Sequence, residues 1–371
     1  MNYLLILVAF LSSMVFAMLI IPKILVIANK HQLYDSIDDR KTHTGAVPRI
    51  GGISFVPCIL FSLMLSFGFY YLLGEKYGFK GEIPDNIKFN LFFCGMILLY
   101  LGGIKDDLVG LRFIYKFMLQ IAAAIMILLS GMYINNLYGF LWIHSIPFYI
   151  GMPLTVLIIV LITNAINLID GMDGLASGIS IFALSVFGVM YLTQGLWTYS
   201  ALSFSTVGVL LPFFWYNVFG NVKRGRKLFM GDSGSLTLGF ILAYLSVHYV
   251  CLSPESPYFA SHSFVIAFSA LLVPLLDILR VIFVRFKKRS NLFMPDRNHI
   301  HHKLQNLGLS NTKSLICILL FNILMFCLNI ILIGHLNSTF IFLTDLIIWI
   351  SVNMYLSRIM KRNARPPKGS V

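Results

Sequence analysis

The chain alternates long apolar runs with short polar stretches. A helix needs about 20 apolar residues to cross a bilayer, and runs of that kind lie near 3–27, 51–73, 89–104, 113–132, 150–168, 175–194, 199–219, 233–252, 263–284, 314–334 and 339–357. The pattern predicts an all-α polytopic integral membrane protein with about 11 transmembrane helices. The segment 133–149, "YINNLYGFLWIHSIPFY", is too polar and aromatic to span and reads as an external hairpin or re-entrant piece. Apolar residues begin at once, without a basic leader or a small-residue cleavage site, so the first run is expected to be a retained span.

Composition agrees with this reading. Of 371 residues, 58% are hydrophobic and only 12% charged, where a soluble chain carries about 25%. The five cysteines, Cys58, Cys94, Cys251, Cys317 and Cys327, follow no pairing pattern and read as small core hydrophobes. Charge then sets the orientation. Every Lys and Arg except Lys76, Lys80 and Lys88 falls at the start of the chain, after an odd-numbered run or in the tail. The N-terminus is therefore expected outside and the C-terminus in the cytoplasm. The formal net charge of +13 would sit on the inner face, where it orients the protein, attracts anionic lipid or suits a polyanionic substrate. A single multi-span domain is expected over 1–357. Its cytoplasmic loops lie at about 28–50, 105–116, 164–174, 220–232 and 285–313, and a basic tail follows at 358–371.

The acids narrow the chemistry. Asp38, Asp39, Asp106, Asp107, Asp170, Asp173, Asp232, Asp277 and Asp296 all fall at the expected cytoplasmic ends of spans. Polar groups at membrane depth are costly and mark functional sites. In "KDDLVGLRFIYKF", two adjacent carboxylates cannot both ionise cheaply unless a cation is near, and Lys116 follows within folding reach; a plain helix terminator is the other reading. In "NAINLIDGMDGLASG", Asn164, Asn167 and Asp170 recur every three residues on one helix face. Such an oxygen-rich face suits Mg²⁺ or a ribosyl group, or else caps a helix end. "LFMGDSGSLTLG" sets Asp232 at a helix start whose N–H groups favour an anion, or serves as a simple cap. His299, His301 and His302 stand among Arg285, Lys287, Lys288, Arg289, Arg297 and Lys303. That cationic setting disfavours zinc and favours phosphate, a surface charge run being the alternative. Acids for a metal, bases for phosphate and a membrane scaffold together suggest phosphoryl transfer with a lipid partner. A secondary transporter would show an inverted repeat and midplane acids; no repeat is found, and Asp345 alone lies mid-span.

"DD" followed by "GLRFIYKF", "NAINLIDGMDGLASG", "LFMGDSGSLTLG" and "PDRNHIHHKL" resemble the polyprenyl-phosphate N-acetylhexosamine-1-phosphate transferases. The last motif resembles the WecA/TagO branch, which uses UDP-GlcNAc, more than the translocase branch acting on UDP-MurNAc-pentapeptide. The resemblance implies that GlcNAc-1-phosphate passes from UDP-GlcNAc to undecaprenyl phosphate, releasing UMP and starting a surface glycan. It implies Mg²⁺, with Mn²⁺ as a substitute, held by Asp232 and Asn167. Asp106 or Asp107 would act on the lipid phosphate and Lys116 would bind phosphate. Asn221 and Phe229 would lie near the uracil, and Arg297, His301 and His302 would grip the diphosphate and sugar. Asn164, Asp170, Asp173 and His299 complete the expected substrate-binding set. "DDRKTHTGAVPRIGG" matches more loosely and adds Lys41, His43 and Arg49 as lipid-phosphate candidates. The implied setting is the bacterial inner membrane, with the active site facing the cytoplasm and no nucleic-acid partner; a homodimer is a candidate assembly.

Overall fold

A computed structural model describes residues 2–33, 47–77, 86–252, 263–287, 289 and 299–363. Thirteen α-helices run through them: α1 (Asn2–Lys30), α2 (Phe55–Tyr77), α3 (Asn86–Val109), α4 (Phe113–Leu129), α5 (Phe148–Ile169), α6 (Leu175–Thr193), α7 (Trp197–Phe219), α8 (Gly231–Val250), α9 (Ser263–Ser269), α10 (Leu272–Lys287), α11 (Ile300–Asn306), α12 (Asn311–Leu332) and α13 (Ser338–Asn363). Nine helices among the described residues are long and apolar enough to cross a membrane. The expected fourth span is α4, which has only 17 residues.

The centre of the bundle is α8, buried along its whole length, which fits a helix with no single polar face. It packs against α3 and α5. On α1, the buried positions include Ala9, Ser13, Ala17, Ile21, Leu25 and Ala28, a single face rich in small residues. Small side chains let backbones approach closely in apolar surroundings, and α7 packs along this helix.

The expected ninth span is not one helix. It breaks after Ser269, and α10 leaves α9 at 77°. Pro274 gives the reason: a proline ring cannot donate a hydrogen bond to, and clashes with, the carbonyl four residues back, here that of Ala270. Asn322 of α12 repairs the break, donating from Nδ2 to the Ala270 carbonyl at 3.2 Å and accepting from the Val273 N–H at 3.3 Å. Such repair is what allows a break inside apolar surroundings. The segment 133–149 does form a hairpin. Asn136 and Ser145 bridge, and the Tyr138 hydroxyl donates to the Val250 carbonyl at the far end of α8 at 2.8 Å. The cysteines correct the expectation of core positions: all five are free, but Cys94, Cys317 and Cys327 are exposed on the outer faces of their helices and only Cys58 is buried.

Candidate active site

The polar residues gather around the first turn of α8. That turn begins in a tight place. The loop at 47–52 runs beside 228–230, with the Gly51 N–H donating to the Phe229 carbonyl at 2.9 Å and the Gly52 N–H to the Met230 carbonyl at 2.7 Å. Gly52 must be glycine, because a Cβ there would lie 2.0 Å from the Gly234 nitrogen. Gly231 has φ +75, and its Cβ would meet the Arg49 carbonyl at 2.3 Å and both Asp107 oxygens at 2.7 Å; only glycine adopts that conformation readily.

The two neighbouring acids of α3 divide their work. Asp107 accepts the Asp232 N–H at 2.7 Å through Oδ1 and the Ser233 N–H at 3.0 Å through Oδ2. It thereby caps the otherwise unpaired first N–H groups of α8 and meets the positive end of its dipole. Asp106 accepts the Leu111 N–H at 2.5 Å through Oδ1, while its Oδ2 pairs with the Lys116 ammonium. Lys116 also reaches Asp232 Oδ2 at 2.8 Å. Arg49 stands 3.5 Å from the same oxygen, and Asn167 donates to Asp232 Oδ1 at 2.6 Å and to the Ser235 hydroxyl at 2.8 Å. Four segments thus converge on Asp232, which is itself buried. Beside them, Asp170 ends α5. Burial is the main reason that its carboxyl lies well above the usual range; Arg49 opposes the shift, and Asp232, Asp107 and Asp173 reinforce it.

The other expected residues have separate places. Asn164 faces α4, exchanging hydrogen bonds with Gln120 at 2.5 and 3.3 Å. Three residues along a helix turn the side chain enough to meet a different neighbour, so Asn164 and Asn167 do not share one partner. Asp173 pairs with Lys227 at 2.5 Å. Exposed Asn221 caps the turn at Val222–Arg224, and Phe229 is half-buried beside Gly51. His301 is buried with no hydrogen-bond partner among the described residues on either ring nitrogen, and its Nε2 would lie 3.3 Å from a Cβ placed on Gly171. The histidine loop therefore sits against the "DGMDG" turn. Burial, with His302 and His299 beside it, lowers the His301 pKa to about 3. His299 lies 5.8 Å from the His301 ring, and His302 4.2 Å. Lys41, His43 and Arg297 lie outside the described residues.

Reasoning from sequence missed Gln120 and Asn217, and it placed Asp277 among the acids at the cytoplasmic ends of spans without giving it a role. Asn217 accepts the Gly174 N–H at 2.6 Å and donates to the Leu228 carbonyl at 2.9 Å, tying the "DGMDG" turn to the approach of α8. A lone amide in an apolar run was the available signal for each of the two amides.

Among the described residues no three His, Cys, Asp or Glu side chains form a ready metal shell. Magnesium, however, needs only one or two protein carboxylates, its other positions going to water and substrate phosphates. Asp106 and Asp232 fit that requirement. They already share one cation, the Lys116 ammonium, so the space between them accommodates positive charge.

The family model for glycosyl transferase family 4 matches residues 89–250, which carry α3 to α8 and with them Asp106, Asp107, Lys116, Asn167 and Asp232. The chain is 34% identical over 323 residues to a Bacillus subtilis (strain 168) protein named probable undecaprenyl-phosphate N-acetylglucosaminyl 1-phosphate transferase, covering 85% of this chain and 81% of that one. It is 28% identical over 302 residues to the undecaprenyl-phosphate alpha-N-acetylglucosaminyl 1-phosphate transferase of Escherichia coli (strain K12), covering 79% and 75% of the two chains. The Yersinia pestis protein of that name is 26% identical over 300 residues, with the same coverage.

Proposed function

The chain belongs to the family of undecaprenyl-phosphate N-acetylglucosaminyl 1-phosphate transferases, and from that premise we propose that it transfers GlcNAc-1-phosphate from UDP-GlcNAc to undecaprenyl phosphate. An oxygen of the lipid phosphate attacks the sugar-bearing phosphorus, the bridging P–O bond breaks, and UMP leaves with the bridging oxygen. The observation that carries the reading is the convergence of Lys116, Arg49, Asn167 and Asp106 on the buried Asp232 carboxylate.

The roles follow from the contacts. Asp106 is the acid that acts on the lipid phosphate, since both oxygens of Asp107 are held by backbone N–H groups of α8. Lys116 swings from its carboxylate partners to phosphate oxygens when substrate enters. Asp232 and Asp106 would hold Mg²⁺, with Asn167 orienting Asp232. When bound, the ion would neutralise charge on the transferring phosphoryl group. The buried His301 offers a neutral imidazole beside the "DGMDG" turn, where the donor would lie.

We place this end of the bundle in the cytoplasm and the N-terminus outside, because the basic residues favour that side. Eleven spans result if α4 and the bent pair α9 and α10 each count as one. The test is UMP release from UDP-GlcNAc with undecaprenyl phosphate, with and without Mg²⁺, and with UDP-GalNAc and UDP-MurNAc-pentapeptide as competing donors. Turnover that needs Mg²⁺ and prefers UDP-GlcNAc is expected. Equal or better use of the muramyl donor would overturn the choice of sugar, and turnover unchanged by chelation would overturn the metal.

A further inference from the structure

Asp277 lies on α10, just beyond the break at Pro274, with its side chain almost fully enclosed at 1% exposure. Three partners among the described residues hold it. Oδ2 stands 2.7 Å from His299 Nδ1; Oδ1 accepts the Ile300 N–H at 3.3 Å and Arg280 Nη2 at 3.2 Å. One carboxylate thus holds the ring of His299, the first backbone group of α11 and a compensating guanidinium.

We propose that Asp277 is a positioning residue for the histidine loop: it fixes the proton of His299 on Nδ1 and turns Nε2 toward the donor-binding side of the loop. The chemistry is directional. An ionised carboxylate only accepts hydrogen bonds, so the nitrogen facing it must carry the proton, and Nε2 is left as the atom available for a ligand. A carboxylate that fixes a ring tautomer in this way is a recurrent supporting element. The Ile300 contact adds a second constraint, because it sets where α11 starts and therefore where His301 meets Gly171. The break in the ninth span acquires a purpose as well. A straight helix would carry residue 277 along the axis of α9; the 77° turn, held by Asn322, carries it under the loop. Lys303 pins the other end of α11, donating to Asn353 at 2.9 Å and Ser357 at 3.2 Å on α13.

The inference rests on the proposed reaction only for its kinetic readout. With Asp277→Asn, the amide can donate toward His299 as well as accept, so the tautomer is no longer fixed. Supporting-residue losses of this kind typically run to about 10–100-fold. The expected result is a rise of that size in KM for UDP-GlcNAc, with KM for undecaprenyl phosphate nearly unchanged. In a His299→Ala background the same substitution should have little further effect, because groups that act through one another are not additive. Asp277→Glu, which keeps the carboxylate, should recover part of the loss and covers the case in which the asparagine variant fails to fold. A second readout needs no turnover: ¹⁵N-histidine spectra, with His299 identified by its absence in His299→Ala, should show a proton on Nδ1. Equal losses from Asp277→Asn with and without His299, or wild-type His299 lacking a proton on Nδ1, would overturn the proposal. Wild-type protein inert toward UDP-GlcNAc but with Nδ1 protonated would count against the reaction and leave the positioning role standing.

Discussion

Asp232 and Asp345 are two acids buried in apolar helices of one bundle, 4% and 3% exposed, yet their surroundings are opposite. Asp232 has Lys116 and Arg49 within ion-pair distance and Asn167 on its other oxygen. Asp345, on α13, has one amide: Asn329 Nδ2 donates to its Oδ2 at 2.9 Å and to the Ser269 hydroxyl at 2.8 Å. Oδ1 of Asp345 and Oδ1 of Asn329 have no hydrogen-bond partner among the described residues. Burying a charge is tolerable when opposite charge and hydrogen bonds surround it. The Asp232 site meets that condition and the Asp345 site meets only the hydrogen-bonding half. On the proposed reaction, the difference separates a carboxylate arranged for chemistry from one that fastens α12 and α13 to the end of α9.

Asp232→Asn tests the comparison with the largest expected effect. It keeps the shape and removes the charge that Lys116 and Arg49 face, so turnover should fall by roughly 10³-fold, the scale for losing a main electrostatic group in an active site. UMP release on purified, correctly inserted protein measures it. Activity within a few-fold of wild type at limiting Mg²⁺ would move Asp232 into the same class as Asp345.

The α3 pair sharpens the same contrast at shorter range. Asp106→Asn should lower kcat by about 10²-fold or more, as expected for a group that acts on a proton or phosphate in the reaction. Asp107→Asn should act mainly on stability, by about 0.5–2 kcal/mol, the usual cost of a lost helix cap. Thermal unfolding and steady-state kinetics on both variants separate the roles. A kcat loss confined to Asp107→Asn would exchange the assignments.

The acids at the head of α8 were legible in the sequence because glycines and carboxylates at the ends of apolar runs are rare enough to stand out. The apolar runs also located the long helices, α4 among them, and the non-spanning hairpin, but they joined α9 to α10 and left α11 inside the loop expected at 285–313. What they could not supply was partnership. Nothing in "KDDL" says that one aspartate caps a helix by accepting an N–H 125 positions later, since that pairing exists only once α3 packs on α8. The break at Pro274 was hidden for a related reason. Many membrane helices tolerate proline, and it becomes a 77° turn only because Asn322 waits on α12. Asp277 looked like one more charge at the edge of a basic loop until the turn carried it beneath His299.

His301 provides an intermediate case, an ionisable group against the "DGMDG" turn with no hydrogen-bond partner among the described residues. Its folded pKa is about 3, below the 6.5 of a free imidazole. Between those values the unfolded chain binds the extra proton and the folded chain does not, so stability should fall as pH drops below about 6.5. The slope attributable to this residue is about 1.4 kcal/mol per pH unit. Thermal midpoints of the detergent-solubilised protein from pH 7 to pH 5 should therefore decline, and His301→Phe, which cannot take the proton, should flatten the decline. An identical slope in both proteins would show that His301 is not the group being protonated.

The smallest effect belongs to Asp345→Asn, and the contrast between the two acids depends on its being small. An asparagine there presents one carbonyl oxygen to Asn329 Nδ2, so the link from α13 through Asn329 to Ser269 on α9 survives. Among the described residues no cation is drawn to Asp345 as Lys116 is to Asp232, so none of them is stranded by the loss of charge. Turnover should stay within about threefold of wild type, and stability within about 0.5 kcal/mol, the range of substitutions that break no named interaction. Asp345→Leu is the sharper instrument, because it removes the acceptor and leaves a buried N–H of Asn329 unpaired, which costs about 1–3 kcal/mol. Thermal unfolding of both variants beside their UMP release gives the answer. If Asp345→Asn lowered turnover as deeply as Asp232→Asn while melting like wild type, then a lone amide would suffice to poise a buried acid for chemistry, and counting the cations around a carboxylate would no longer tell the working acid from the fastening one.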